Sequence, residues 1–189
     1  MILIVIWGSI IFVNGLILAP FLDITMPFDT MTAIKEANLK YLTIAFANYD
    51  SNKKCLVFGK DTIESKKAII SQFKDKGIKI GISFGGLAQN DAVEPARAIA
   101  DLKTLVSCYQ KVVDLFQPTF LDFDIENGES KQISDLRTKA LKILKNANSD
   151  LDIHVTLAVT TSGFNQLGTT VLESAKLSDF SFKGKFDLH

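Results

Sequence analysis

Runs of β-branched, aromatic and other apolar residues recur six times along the chain, as LILAPFLD, LKYLTIAFA, IKIGISFGG, TFLDFDIE, DIHVTLAVTT and a final KFDLH. Their composition and length predict strands. Amphipathic segments lie between them. In residues 101 to 116, Leu102, Leu105, Val106, Tyr109, Val112, Val113 and Phe116 follow the i, i+3, i+4 rule and line one face of a helix, which Pro118 prevents from continuing. A second helix is predicted from Asp61 or Thr62, presenting Ile63, Ile70 and Phe73 and stopping at Gly77, a residue free to take the left-handed cap. A third runs from about Ser130 through Ile133, Leu136, Ala140, Leu141 and Leu144. Strand starts fall roughly 25 to 40 residues apart, the rhythm of βα units in a parallel sheet. No Gly/Ser/Pro linker divides the chain.

A doubly wound open sheet and a (β/α)8 barrel both fit that alternation, and the polar residues separate them. In a barrel, functional groups gather at the carboxyl ends of several strands. Here such clusters follow most of the predicted strands: Asp23-Ile24-Thr25, Ser83-Phe84-Gly85-Gly86, Asp122 to Glu126, and Thr160-Thr161-Ser162-Gly163. No strand is followed by GxGxxG or GxxxxGK[ST], so the phosphate-binding versions of the open fold lose support. The expectation is an α/β chain forming part of a (β/α)8 TIM barrel, with about five βα units and the start of a sixth strand.

Composition narrows the function. The chain is 47% apolar and 22% charged, the balance of a globular domain. Its 21 basic and 21 acidic residues cancel without clustering, which removes the footprint expected for nucleic acid or an anionic membrane and leaves room for a neutral ligand. The first basic residue is Lys35, and the leader over residues 1–15 is almost wholly apolar. It reads as a secretory signal, with Val13-Asn14-Gly15 offering small residues for cleavage, or as a membrane anchor; an upstream apolar element of the domain is the alternative. A secreted or membrane-anchored protein is expected, with the domain over 16–189. Cys55 and Cys108 are too few for a disulfide framework and lack zinc-site spacing. His154, inside the apolar run IHVTLAV, reads as a core histidine, and no metal or cofactor is called for.

The most informative stretch is Phe120-Leu121-Asp122-Phe123-Asp124-Ile125-Glu126, where three carboxylates alternate with large apolar residues. On a strand Asp122, Asp124 and Glu126 point the same way, about 6.5 to 7 Å apart, while Leu121, Phe123 and Ile125 pack behind. Acidic residues are depleted in strands, and three like charges on one face repel. A half-exposed strand with an acidic face would tolerate this. In a parallel sheet covered on both faces, crowding and desolvation instead favour keeping one carboxyl protonated, which equips it for general acid catalysis of glycoside cleavage.

Asp122-Phe123-Asp124-Ile125-Glu126 resembles the end of the DxxDxDxE signature of glycoside hydrolase family 18, the chitinases and their relatives. Ser83-Phe84-Gly85-Gly86 resembles the family's SxGG motif on the preceding strand, in the right order. LAPFLDIT, YLTIAFAN and HVTLAVTTSGF look like strands one, two and five of bacterial-type chitinases, so the likeness runs over nearly the whole chain. One departure is Thr119, at the position of the signature's first aspartate.

The resemblance implies hydrolysis of β-1,4-linked N-acetylglucosamine polymers, with Glu126 as the acid and the substrate's own acetamido oxygen as nucleophile, an exception to the two-carboxylate scheme. Asp124 would orient the acetamido group and Asp122 would tune Asp124. Ser83, Gly85 and Gly86 would form the floor. The partner implied is chitin or N-acetylglucosamine oligosaccharides, with no specific protein partner. An endo-β-N-acetylglucosaminidase shares the same signature. A chitin-binding lectin is a further alternative, although such lectins typically lack the acid. An inactive truncated remnant is the third, since the family's strand-six tyrosine would fall beyond the residues present.

Overall fold

The computed structural model describes residues 18–26, 30–86, 92–126 and 128–188. The leader expected over residues 1–15, with Trp7 and Val13-Asn14-Gly15, and His189 lie outside the described residues. In chain order the elements are β1 (Phe21–Asp23), α1 (Thr30–Glu36), β2 (Tyr41–Ala45), β3 (Ala47–Asp50), β4 (Cys55–Phe58), β5 (Asp61–Thr62), a 3₁₀ turn (Ile63–Lys66) and α2 (Lys67–Asp75). There follow β6 (Lys79–Gly85), β7 (Ala92–Val93), α3 (Pro95–Ala98), α4 (Leu102–Phe116), β8 (Phe120–Ile125), α5 (Lys131–Ala147), β9 (Asp152–Thr160), β10 (Gly163–Phe164), α6 (Gln166–Leu177) and β11 (Lys183–Leu188).

The main sheet runs β1-β2-β6-β8-β9-β11, every neighbouring pair parallel. β10 folds back antiparallel on the end of β9. Each predicted apolar run supplies one of the parallel strands, and α2, α4 and α5 fill three of the crossovers. The arrangement is consistent with part of a TIM-barrel-like fold. Among the described residues it does not close: β1 pairs only with β2, and β11 only with β9.

A smaller antiparallel sheet, β5-β4-β3-β7, grows from the carboxyl end of the main one. Asp50 turns the chain between β3 and β4, its Oδ1 accepting from the Asn52 and Lys53 amides at 2.9 and 3.1 Å. The start expected for the second helix falls at the edge of this sheet. Asp61 and Thr62 pair with Phe58 and Val57, and Thr62 is at the same time the N-cap of the 3₁₀ turn that leads into α2.

α4 begins where expected. Asp101 caps it, accepting from the Thr104 amide and hydroxyl, each at 2.7 Å. It ends at Gln117, which takes a left-handed conformation (φ 46°) just before Pro118. Its buried face, Leu105, Tyr109, Val112 and Phe116, packs on the sheet with the apolar side of β8, Leu121, Phe123 and Ile125. Phe84 stacks on Phe123 at 5.1 Å, and Tyr109 meets both rings edge-on at 5.3 Å, the geometries that ring quadrupoles favour. Thr43, Ser83, Asp122 and Thr156 are also buried, so the strands carry polar groups into the interior.

Candidate active site

With both faces of β8 covered, its acidic side must find hydrogen bonds inside the protein. Asp122 has no exposed surface. Its Oδ2 accepts from the Ser83 hydroxyl at 2.7 Å and its Oδ1 from the Thr156 hydroxyl at 3.0 Å, so a neighbouring strand on each side supplies one donor. Asp124, opposite Gly85 and Thr156 in the ladders, is 7% exposed. Glu126, just past the end of β8, is half-exposed. The carboxylates thus climb from an enclosed position to the mouth of a cleft. Thr119 sits at the other end of the strand, exposed, joining the backbone ladder through Ile80 and Asp152.

The two glycines of the SFGG run allow a close approach that no side chain could tolerate. A Cβ on Gly85 (φ 95°) would lie 2.1 Å from the Asp124 carbonyl oxygen, the same oxygen that accepts from the Gly86 amide at 2.9 Å. A Cβ on Gly86 (φ 71°) would lie 2.6 Å from the Phe46 ring. Asn48 on β3 grips Gly85 from the smaller sheet, donating to its carbonyl at 2.9 Å and accepting from its amide at 2.8 Å. Asn48, Gly85, Gly86, Asp124 and Glu126 line one cleft.

Ser83, Gly85, Gly86, Asp122, Asp124 and Glu126 therefore come together at one end of the sheet, where the turns after β1 and β9 also emerge. Sequence reasoning missed Thr156, the second donor to Asp122, and Asn48, Glu94, Glu129 and Arg137, which line the same cleft. None belongs to a motif, and only the spacing of charges before and within α5 could have marked Glu129 and Arg137. His154 is half-buried rather than enclosed, stacked on Phe120 at 4.5 Å. Cys55 and Cys108 are free, and burial, with the Glu94 charge behind it, pushes the Cys108 thiol up to about 12. Among the described residues no cluster of three or more His, Cys, Asp or Glu could hold a metal ion, and no helix is long and apolar enough to cross a membrane.

The fold that this site sits on is a chitinase-like one, shared with catalytic domains of chitinases. The catalytic domain of the hyperthermophilic chitinase from Pyrococcus furiosus matches 89% of this chain with a TM-score of 0.76 and 23% identity, over 55% of its own length. Catalytic-site mutants of that chitinase's active domain 2, complexed with chito-oligosaccharides, match at 0.76 and 22%. A chitinase from Aspergillus fumigatus matches 88% of this chain and 64% of its own, with a TM-score of 0.63 and 17% identity. The chain spans about half the length of the Pyrococcus domain. No family model and no curated protein matches the sequence.

Proposed function

We propose that residues 16–189 form the acid-bearing wall of a (β/α)8 barrel that hydrolyses β-1,4-linked N-acetylglucosamine polymers, supplying five βα units and the sixth strand. Glu126 gives its proton to the glycosidic oxygen as the bond to the anomeric carbon breaks, while the substrate's acetamido oxygen closes on that carbon from the opposite face. Asp124 orients the acetamido N–H and stabilises the positive charge that develops there, and Asp122, held by Ser83 and Thr156, tunes Asp124. Water then opens the cyclic intermediate, returning a proton to Glu126 and retaining the anomeric configuration. The apolar leader is the proposed export signal, as an insoluble polymer substrate requires.

The observation that carries this reading is the gradient along the row: an enclosed, doubly hydrogen-bonded Asp122, a nearly buried Asp124 and a half-exposed Glu126 at the cleft mouth. The test uses the full-length protein with Glu126→Gln. Turnover of chito-oligosaccharides should drop by at least about 10² to 10⁴ while binding, followed by calorimetry, survives, because the amide keeps the shape and loses the proton. Oligomers deacetylated at the attacked sugar should remain uncut. Near-normal hydrolysis by the variant, or a covalent glycosyl ester on Asp122 or Asp124 in the mass spectrum, would sink the mechanism.

A further inference from the structure

Behind the acid row lies a buried ionic cluster that the proposed chemistry does not use. Arg137 on α5 turns both terminal nitrogens on Glu129, Nη1 to Oε1 at 2.7 Å and Nη2 to Oε2 at 2.5 Å. The same Nη2 donates to Glu94 Oε2 at 2.9 Å. Glu94, the N-cap of α3, also accepts from the Ala96 amide at 3.1 Å and from the Tyr109 hydroxyl on α4. The side chains of Arg137, Glu94 and Glu129 are 3%, 2% and 1% exposed. Burial works against the Arg137 cation, but the charges of Glu94 and Glu129 outweigh it and hold it well above its ordinary value. Burial, and then the Glu94 charge, push the Tyr109 phenol up.

Stability alone is a poor reason for such a cluster, since desolvating three charges offsets most of their attraction and a well-packed apolar replacement is often as stable. What a planar, bidentate guanidinium provides is direction. Glu126 follows directly on β8, Glu129 comes three residues later, and Ser130 caps α5, its Oγ accepting from the Ile133 amide at 3.4 Å. Glu126 thus adjoins the sheet, and Glu129, three residues on, is held by the Arg137 fork. Through Glu94 the same guanidinium is tied to α3 and α4. Glu94, Glu126, Glu129 and Arg137 all border one cleft.

We propose that Arg137 is a positioning residue for Glu126: by gripping Glu129 it fixes an anchor three residues after the acid and so aims it, an inference that rests on Glu126 being that acid. Lysine at this position keeps the charge and loses the fork, and Glu129→Gln keeps the shape and loses the carboxylate.

The experiment measures both variants in the full-length protein beside Glu126→Gln, with chito-oligosaccharide hydrolysis and amide hydrogen exchange as readouts. Arg137→Lys and Glu129→Gln should each lower kcat by about tenfold to 10²-fold, the scale of an ångström of misplacement, with KM changed less than about twofold. Exchange at Glu126 and Gly128 to Ser130 should accelerate while β8 and α4 keep their protection, which separates a displaced segment from a failed fold. Wild-type kcat in both variants with Glu126→Gln inactive would overturn the inference, and so would unchanged exchange in that segment. If Glu126→Gln remains active, the acid assignment has failed instead, and exchange still reports whether Arg137 holds the segment.

Discussion

At Gly85 a left-handed backbone (φ 95°) coincides with a carbonyl oxygen 2.1 Å from where a Cβ would stand. Gly77 shares the first condition (φ 79°) and has nothing within 4 Å. Gly77→Ala should therefore cost only the left-handed strain, about 1 kcal/mol, whereas Gly85→Ala must also displace backbone and should cost about 3 kcal/mol or more. Denaturant unfolding of the two variants measures the difference, and equal losses would mean that the approach to Asp124 does not constrain β6. The need for glycine here was legible in the SFGG run, because a small-residue cluster after a strand has few other uses. Asn48, which binds Gly85, was not legible: it lies 37 residues away and its role comes from a sheet pairing that no local spacing announces.

Helix α4 was readable from its apolar stripe and from Asp101 before it, and its cap carries a pH dependence. The Thr104 hydroxyl, and then the Thr104 amide, hold the Asp101 carboxyl below its ordinary value of 3.8. With the folded-state value depressed, the stabilisation is fully present above pH 3.8 and is lost as the pH falls through the folded value, where the unfolded chain binds the proton more readily. Asp101→Asn still accepts hydrogen bonds and cannot titrate. The denaturation midpoint of this variant should fall less steeply than that of the wild type as the pH is lowered below about 4. Identical slopes would remove Asp101 from the acid response. The smaller sheet escaped the sequence because its strands, two to four residues long, are too short for a period of two to emerge. The helix start near Asp61 or Thr62 was legible, Thr62 being the N-cap of the 3₁₀ turn, whereas the pairing of both residues with β4 is tertiary and was not.

At the scale of the whole molecule, alternation and spacing were enough to recover the parallel sheet, because each crossover helix must cover the strand before it. The outer edges of β1 and β11 have no strand against them among the described residues, and β1 carries Phe21, 46% exposed. Below the acid row, the Phe120 ring fills the space that a side chain on Gly81 would need, 2.0 Å from the position of its Cβ, and stacks on His154. Between β6 and β8 one residue has surrendered its volume to the other, so positions 81 and 120 are not free to drift separately. Among descendants of this sequence a larger residue at 81 can arise only alongside a smaller one at 120, and such paired exchanges would trace the interior in an alignment before any new structure is determined.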